Sequence, residues 1–267
     1  YNLFPGETKK LDYTALAGYY ADSAISMGMK SEGYLQKAKI LSDKKRNTDK
    51  EKDGKEWKEI GNQIVSALEN SISSDKRNYV AYMELGEIYL SNAYEVLYNI
   101  KSKADNFKLF NEDIQKAILA FEVPARDTGW SNRKTAVWKL AKCKYLNSSY
   151  EEADKLMLSI KDDMEYTQAK EQFFADYGMI KLKRGQLNDA NFYLGKSNTS
   201  LGKYGMLLYN VKKDASRVND YANTMNELFE ALDTYSSSMI EDDFKELGIE
   251  GAMNGQVKKA LKSKGGH

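Results

Sequence analysis

Histidine is almost missing from this chain, which holds one, His267, at its last position. Nucleophile systems of the Ser-His-Asp or Cys-His type, histidine-based zinc sites and the zincin motif are excluded with it. Cysteine is equally scarce. Cys143 stands alone, so neither an intrachain disulfide nor a thiolate metal cluster can form, and its place within a helix reads as a packed, inert thiol. Only two prolines occur, Pro5 and Pro124, and with 12% aromatic residues this indicates an ordered, helix-rich chain. No run of alternating β-branched residues is closed by an Asn-Gly or Asp-Gly turn, so strands are not expected. No apolar run reaches the ~18–20 residues of a membrane span. Lys+Arg 40 against Asp+Glu 39 leaves a formal charge of +1, and no global field draws the chain to nucleic acid or an anionic membrane. Phosphate-cradling loops are absent too: Gly248, Gly251 and Gly255 are too loosely spaced and sit in a helical context.

What is present is repetition. Over residues 134–197 one pattern occurs twice: Leu140-Ala141, Tyr145, Tyr150, Ala153 and Met157, then Tyr177-Gly178, Leu182, Leu187, Ala190 and Leu194. Each copy reads as a helix, a tight turn and a second helix. Small residues recur where helices approach closely, and large apolar ones where a neighbour must be covered. Ser149 with Glu152 reads as a capping box, and Gly185 after Lys183-Arg184 as a helix stop. Tyr82, Leu85, Gly86 and Tyr89 carry the same opening-helix pattern earlier in the chain.

Paired helices at this spacing resemble the tetratricopeptide (TPR) repeat, specifically over about 79–197. The resemblance implies an all-α, right-handed α-solenoid of helical hairpins, closed here by a C-terminal helical cap, and a non-catalytic scaffold that binds a protein or peptide on its concave face. In that family the first helix of each repeat lines the groove. Carried over, those positions are Met83, Glu87 and Leu90, then Thr135, Trp138, Lys142 and Tyr145, then Gln172, Met179, Leu182 and Lys183. Trp138, Tyr145 and Met179 would be its aromatic and flexible anchors. The carboxylate clamp of some TPR domains is not reproduced, because Glu87, Lys142 and Met179 stand at its positions.

Along the chain, residues 1–10 read as an extended lead-in and 11–205 as the repeat array, 206–264 as the cap and 265–267 as a tag remnant. From about Asp12 to Leu41 the apolar spacing predicts one long helix broken near Gly28 or Gly33; a charged, solvated insertion follows over about 43–56, then a helix from Trp57 to Ser74. A helix over Tyr79–Lys101 is followed by a partner at about Asn111–Glu122, with Pro124 past its end. Trp130 reads as a loop ring tucked over a helix end. Leu207, Leu208 and Val211 suggest a short helix, the apolar residues from Val218 to Met239 a longer one, and Phe244–Leu247 and Ala252–Leu261 a weak pair.

A second reading places a small molecule in a pocket between solenoid and cap, which an enclosed cavity lined by Tyr and Met would favour. A third, a carboxylate-dependent hydrolase, would need two buried acids facing one cleft; Asp162-Asp163 with Glu165, and Glu241-Asp242-Asp243, are the candidates, and a solvated acidic turn is the ordinary reading of both. The chain is expected to need no metal and no cofactor. The basic tail Lys258, Lys259, Lys262 and Lys264 reads as a solvated helix end. Neither nucleic acid nor a membrane is expected as a partner, save through a lipid anchor upstream of Tyr1, and assembly into an oligomer is compatible with the scaffold. The start at Tyr1 favours an exported, envelope-associated bacterial lipoprotein.

Overall fold

The computed structural model describes residues 13–98, 103–221, 224–233 and 235–264; the lead-in and the tag remnant expected at the two ends lie outside them. The fold is all-α. Its helices are α1 (Tyr13–Ser26), α2 (Lys30–Asn47), α3 (Gly54–Ser74), α4 (Tyr79–Tyr98), α5 (Lys103–Arg126), α6 (Arg133–Leu146), α7 (Tyr150–Met164), α8 (Lys170–Lys183), α9 (Leu187–Leu194), α10 (Ser200–Lys213), α11 (Met225–Glu230), α12 (Ser237–Glu246) and α13 (Gly255–Lys264). The chain divides into two compact units, 1–85 and 86–267.

In the first unit α2 packs against both α1 and α3. The predicted break is at Gly28, where the backbone turns with φ +94°. A buried polar knot ties α2 to α3: Ser31 Oγ donates to the Ser71 carbonyl at 3.0 Å, and Ser71 Oγ donates to the Ser31 carbonyl at 2.7 Å. The Asn78 amide donates to both hydroxyls at 2.9 Å, while its Oδ1 accepts from the backbone N–H of Ala81 and so caps α4. Every buried polar atom in the knot thereby finds a partner, as an interior requires. The expected insertion is corrected here. Charge continues α2 to Asn47 and starts α3 at Gly54, so only a short turn lies outside helix. Lys44 pairs with Glu56 at 2.8 Å, and the Lys45 and Lys50 ammonium groups lie over the Trp57 ring at 3.7 and 4.7 Å. A helix end without an apolar face is held by such pairs.

In the second unit successive helices pack as neighbours, α5 on α6, α6 on α7, α7 on α8, α8 on α9 and α9 on α10, in solenoid-like order. The recurring small residues do what their spacing predicts. A Cβ on Gly178 would stand 2.5 Å from Leu194 Cγ, and one on Gly86 would stand 2.6 Å from the Phe121 ring. Helix ends repeat as well. After α8, Gly185 (φ +72°) donates to the Leu182 carbonyl and Gln186 to that of Lys181, the paired bonds of a Schellman stop. Ser148 (φ +58°) makes the same two bonds after α6, to Tyr145 and, through Ser149, to Lys144. The capping box is not formed: Ser149 starts α7 without a side-chain cap, and Glu152 pairs with Lys144 at 2.8 Å.

Two further expectations are revised. α5 starts at Lys103 rather than near Asn111 and runs through Pro124 to Arg126. Proline sits within the last turn, and Arg133 Nε satisfies the Ala125 carbonyl at 2.9 Å. The long helix read over 218–239 does not form. Val218, Met225, Phe229, Leu232 and Tyr235 are buried, but on a 3-10 turn, the short α11 and a bend, until Ser236 Oγ accepts the Met239 N–H and opens α12. Serine side chains compete for backbone hydrogen bonds and favour a new start over continuation.

The core of this unit is continuous from α8 to α13, joining Leu182, Leu194 and Leu208 to Phe229, Phe244 and Val257. Helix α8 is its axis. Residues Phe173 to Leu182 are all buried, as in a helix covered on every side.

Candidate functional site

The enclosure of α8 decides where a ligand can go. Met179 and Leu182, expected to face a groove, are buried at 1% and 0% exposure, and Leu90 is buried on α4. These three are corrected: they are core. Met179 is held against α10, its Sδ 3.0 Å from where a Cβ on Gly205 would lie, and Leu182 belongs to the same core as the C-terminal helices.

Other groove candidates gather in a polar cluster beneath that cover. Trp138 Nε1 donates to Asp176 Oδ2 at 2.9 Å, its ring meets Phe173 edge-on at 5.9 Å, and Gln172 Nε2 reaches Asp176 Oδ1 at 3.4 Å. Asp176 raises the Lys142 ammonium above its usual pKa, outweighing burial. Beside it, burial pushes the Cys143 thiol up to about 12, which keeps it protonated and inert. Glu87 pairs with Lys139 at 2.7 Å, and Thr135 is half-buried on α6. Met83 belongs to the first unit, where it is half-buried.

Tyr145 and Lys183 instead border a cavity of about 460 Å³ in the second unit. One wall is α12. Ser238, Asp242 and Glu246 recur at four-residue steps on a single stripe, with Met239 and Asp243 beside them. Phe107, Phe110 and Asn111 of α5 and Leu97 of α4 also line it. The α6–α7 turn supplies Asn147, Ser148 and Tyr150. α12 is fixed at both ends, by Ser236 at its start and at its finish by a Schellman stop at Gly248 (φ +66°), which donates to Lys245 while Ile249 donates to Phe244.

Lys183, in the last turn of α8, is the electrostatic centre. Its Nζ lies 2.7 Å from Asp243 Oδ1 and 2.8 Å from Glu246 Oε2, and its side chain is 4% exposed. Burial acts to discharge it, but Asp243 and Glu246 together win, and its pKa lies above the usual lysine value. Asp243 is closed on its other oxygen, Oδ2 accepting from the Tyr204 hydroxyl at 2.9 Å. The Tyr150 hydroxyl donates to the same Glu246 Oε2 as Lys183 does, and burial with that bond pushes Tyr150 up to about 12. Against its burial, hydrogen bonds from Lys183 and Tyr150 hold Glu246 below the ordinary carboxylate range. Tyr145 and Tyr235 pair through their hydroxyls at 3.3 Å, and burial keeps both phenols protonated far above neutral pH.

The acidic run 241–243 is therefore mid-helix and partly buried, not a solvated turn, whereas Asp162 and Asp163 are exposed. Phe107, Phe110, Tyr150, Met239, Asp242 and Glu246 were not singled out as groove residues. The four-residue stripe on α12 was the readable signal. Among the described residues no cluster of His, Cys, Asp and Glu is placed to hold a metal ion, and no helix is long and apolar enough to cross a membrane. No family model matches the chain, and no curated protein is similar to it in sequence.

Proposed function

We propose that this chain is a non-catalytic binding protein of TPR-like hairpins whose ligand is a small molecule seated between α5, the α6–α7 turn and α12. The single observation that supports this most is the cavity itself. At about 460 Å³ it falls in the range of small-molecule sites, and its lining combines apolar and aromatic faces with a few convergent polar groups. The peptide-groove reading is weakened at Met179 and Leu182, which are buried in the core that runs from α8 to the C-terminal helices. A hydrolytic reading would use Asp243 as the buried acid, but both its oxygens are engaged, by Lys183 and by Tyr204.

The test is a thermal-shift screen of a small-molecule fragment library against the wild-type chain and a Ser238→Trp variant. Ser238 is half-buried on the cavity wall and takes no part in the Lys183 ion-pair cluster, so an indole there is placed to fill the space. Compounds that raise the wild-type melting temperature are expected to leave the variant unmoved. Equal shifts in both proteins, or no shift from any compound, would overturn the cavity as the binding site.

A further inference from the structure

The first unit carries an apolar face that its own core does not use. Helix α1 packs on α2 through Ala21 and Ile25: Ala21 is 3% exposed, and a Cβ on Gly33 of α2 would stand 2.6 Å from Ile25 Cγ1. A second stripe runs along another side of the same helix. Leu16, Tyr20, Ala24 and Met27 follow one another at helical steps, the last turn closed by the Met27 N–H donating to the Ser23 carbonyl at 2.9 Å. Leu16, Tyr20 and Met27 are 39%, 63% and 76% exposed. Tyr19, 67% exposed, meets the Tyr20 ring edge-on at 5.8 Å, and Met29, 50% exposed, follows the turn. From Tyr13 to Met29 the one charged residue is Asp22, and it pairs with Lys37 of α2. A helix with apolar residues on two sides and its charge answered reads as one covered on both.

Independently of the cavity, we propose that the cover is α1 of a second copy of this chain, in an antiparallel pair about a two-fold axis. Such a contact must be its own complement, each residue meeting a partner position that meets it in return. The stripe has this property. Run against itself in reverse, with the axis level with Asp22, it sets Tyr20 of each copy over Ala24 of the other and Leu16 beside Met27, a large side chain facing a small one at the centre between apolar ends. No like charges meet, since none lies on the stripe. With neither Lys nor Arg there, an anionic lipid surface is disfavoured, and a charged peptide would find nothing to pair with. The exposed side chains of Leu16, Tyr19, Tyr20, Met27 and Met29 offer roughly 500 Å² per chain, about 1,000 Å² in the pair, where specific association begins, so the dimer forms and dissociates with concentration.

The experiment is sedimentation equilibrium of the full chain from about 2 to 200 µM. The weight-average mass is expected to rise from the 30.4 kDa of one chain toward twice that value. Leu16→Glu and Met27→Lys are each expected to raise the dissociation constant at least about 10-fold, because each sets an unpaired charge against an apolar side chain at both ends of the contact. Both positions are exposed, so the helicity of each variant should match that of the wild type. Mixed one to one, the two variants are expected to regain association several-fold over either alone, since one end of the mixed pair then joins Glu to Lys and the other keeps Leu against Met. A chain that stays at 30.4 kDa to the highest concentration would overturn the proposal, whether α1 then binds phosphatidylcholine vesicles or a different protein. Self-association that survives both substitutions, or variants that do not complement each other, would overturn it too.

Discussion

Three tyrosines crowd the carboxylate of Asp243, and they make the fold sensitive to alkali. Burial, reinforced by the Asp243 charge, holds the phenols of Tyr145, Tyr204 and Tyr235 well above their ordinary pKa. In the unfolded chain the same groups titrate near pH 10. Above that pH the folded state therefore binds more protons than the unfolded one, and stability must fall as pH rises. Each group withholds about 1.4 kcal/mol per pH unit, so three remove roughly 4 kcal/mol by pH 11, a large part of the ~5–15 kcal/mol that holds most domains. Lys183 acts in the same direction: its raised pKa contributes stability that is present below about pH 10.4 and lost as pH climbs through the higher folded value. Urea melts followed by circular dichroism between pH 8 and 11.5 should be level to about pH 9.5 and then fall steeply. Phenolate absorbance near 295 nm should show a late fraction that appears only as helicity is lost. In Tyr204→Phe the alkaline slope should be shallower by about 1.4 kcal/mol per pH unit, whatever the substitution does to stability at pH 8. Complete phenolate formation by pH 11 with helicity intact would refute the reasoning, because these hydroxyls would then be open to solvent.

Two backbone predictions separate strain from crowding. Gly185→Ala meets nothing within 4 Å but must hold φ +72°, so it should cost about 1 kcal/mol, read as a lower urea midpoint with an unchanged slope. Gly178→Ala has helical geometry, and alanine there is favoured by propensity, yet its Cβ would stand 2.5 Å from Leu194 Cγ and 3.0 Å from Leu194 N. Leu194 has little room to adjust, since its Cδ2 also packs within 2.4 Å of where a Cβ on Gly205 would stand, and a net loss of roughly 2 kcal/mol is expected from the same melts. A stabilised Gly178→Ala protein would mean that the α8–α9 hairpin packs more loosely than described.

How much of this was legible depends on the range of the interaction that decides each feature. The hairpins were readable because a helix's own small and apolar residues state which side must approach a neighbour, as Ala141, Gly178, Ala153 and Ala190 do, all buried or in close contact. Even the turn after α6 obeys the period: Ser148 takes the left-handed conformation 37 residues before Gly185 does. Serine gives no glycine signal there, so that stop was hidden although its partner was plain. The groove was not legible, and the reason is physical. Whether Met179 and Leu182 face a partner or the core depends on which distant segment returns to α8, and apolar side chains look the same in either role. Apolar spacing over 218–239 likewise recorded burial correctly and element type wrongly, because Ser236 opens a new helix by capping it. The cavity lay in between. Its acidic wall was written at four-residue steps from Ser238 through Asp242 to Glu246, but a stripe of carboxylates on a helix is ordinarily a solvated face. Only Lys183, delivered by a helix that ends more than fifty residues earlier in the chain, turns part of that stripe inward and leaves the rest bordering an aromatic pocket. A site assembled in this way is specified by the meeting of two elements, each of which reads alone as ordinary surface.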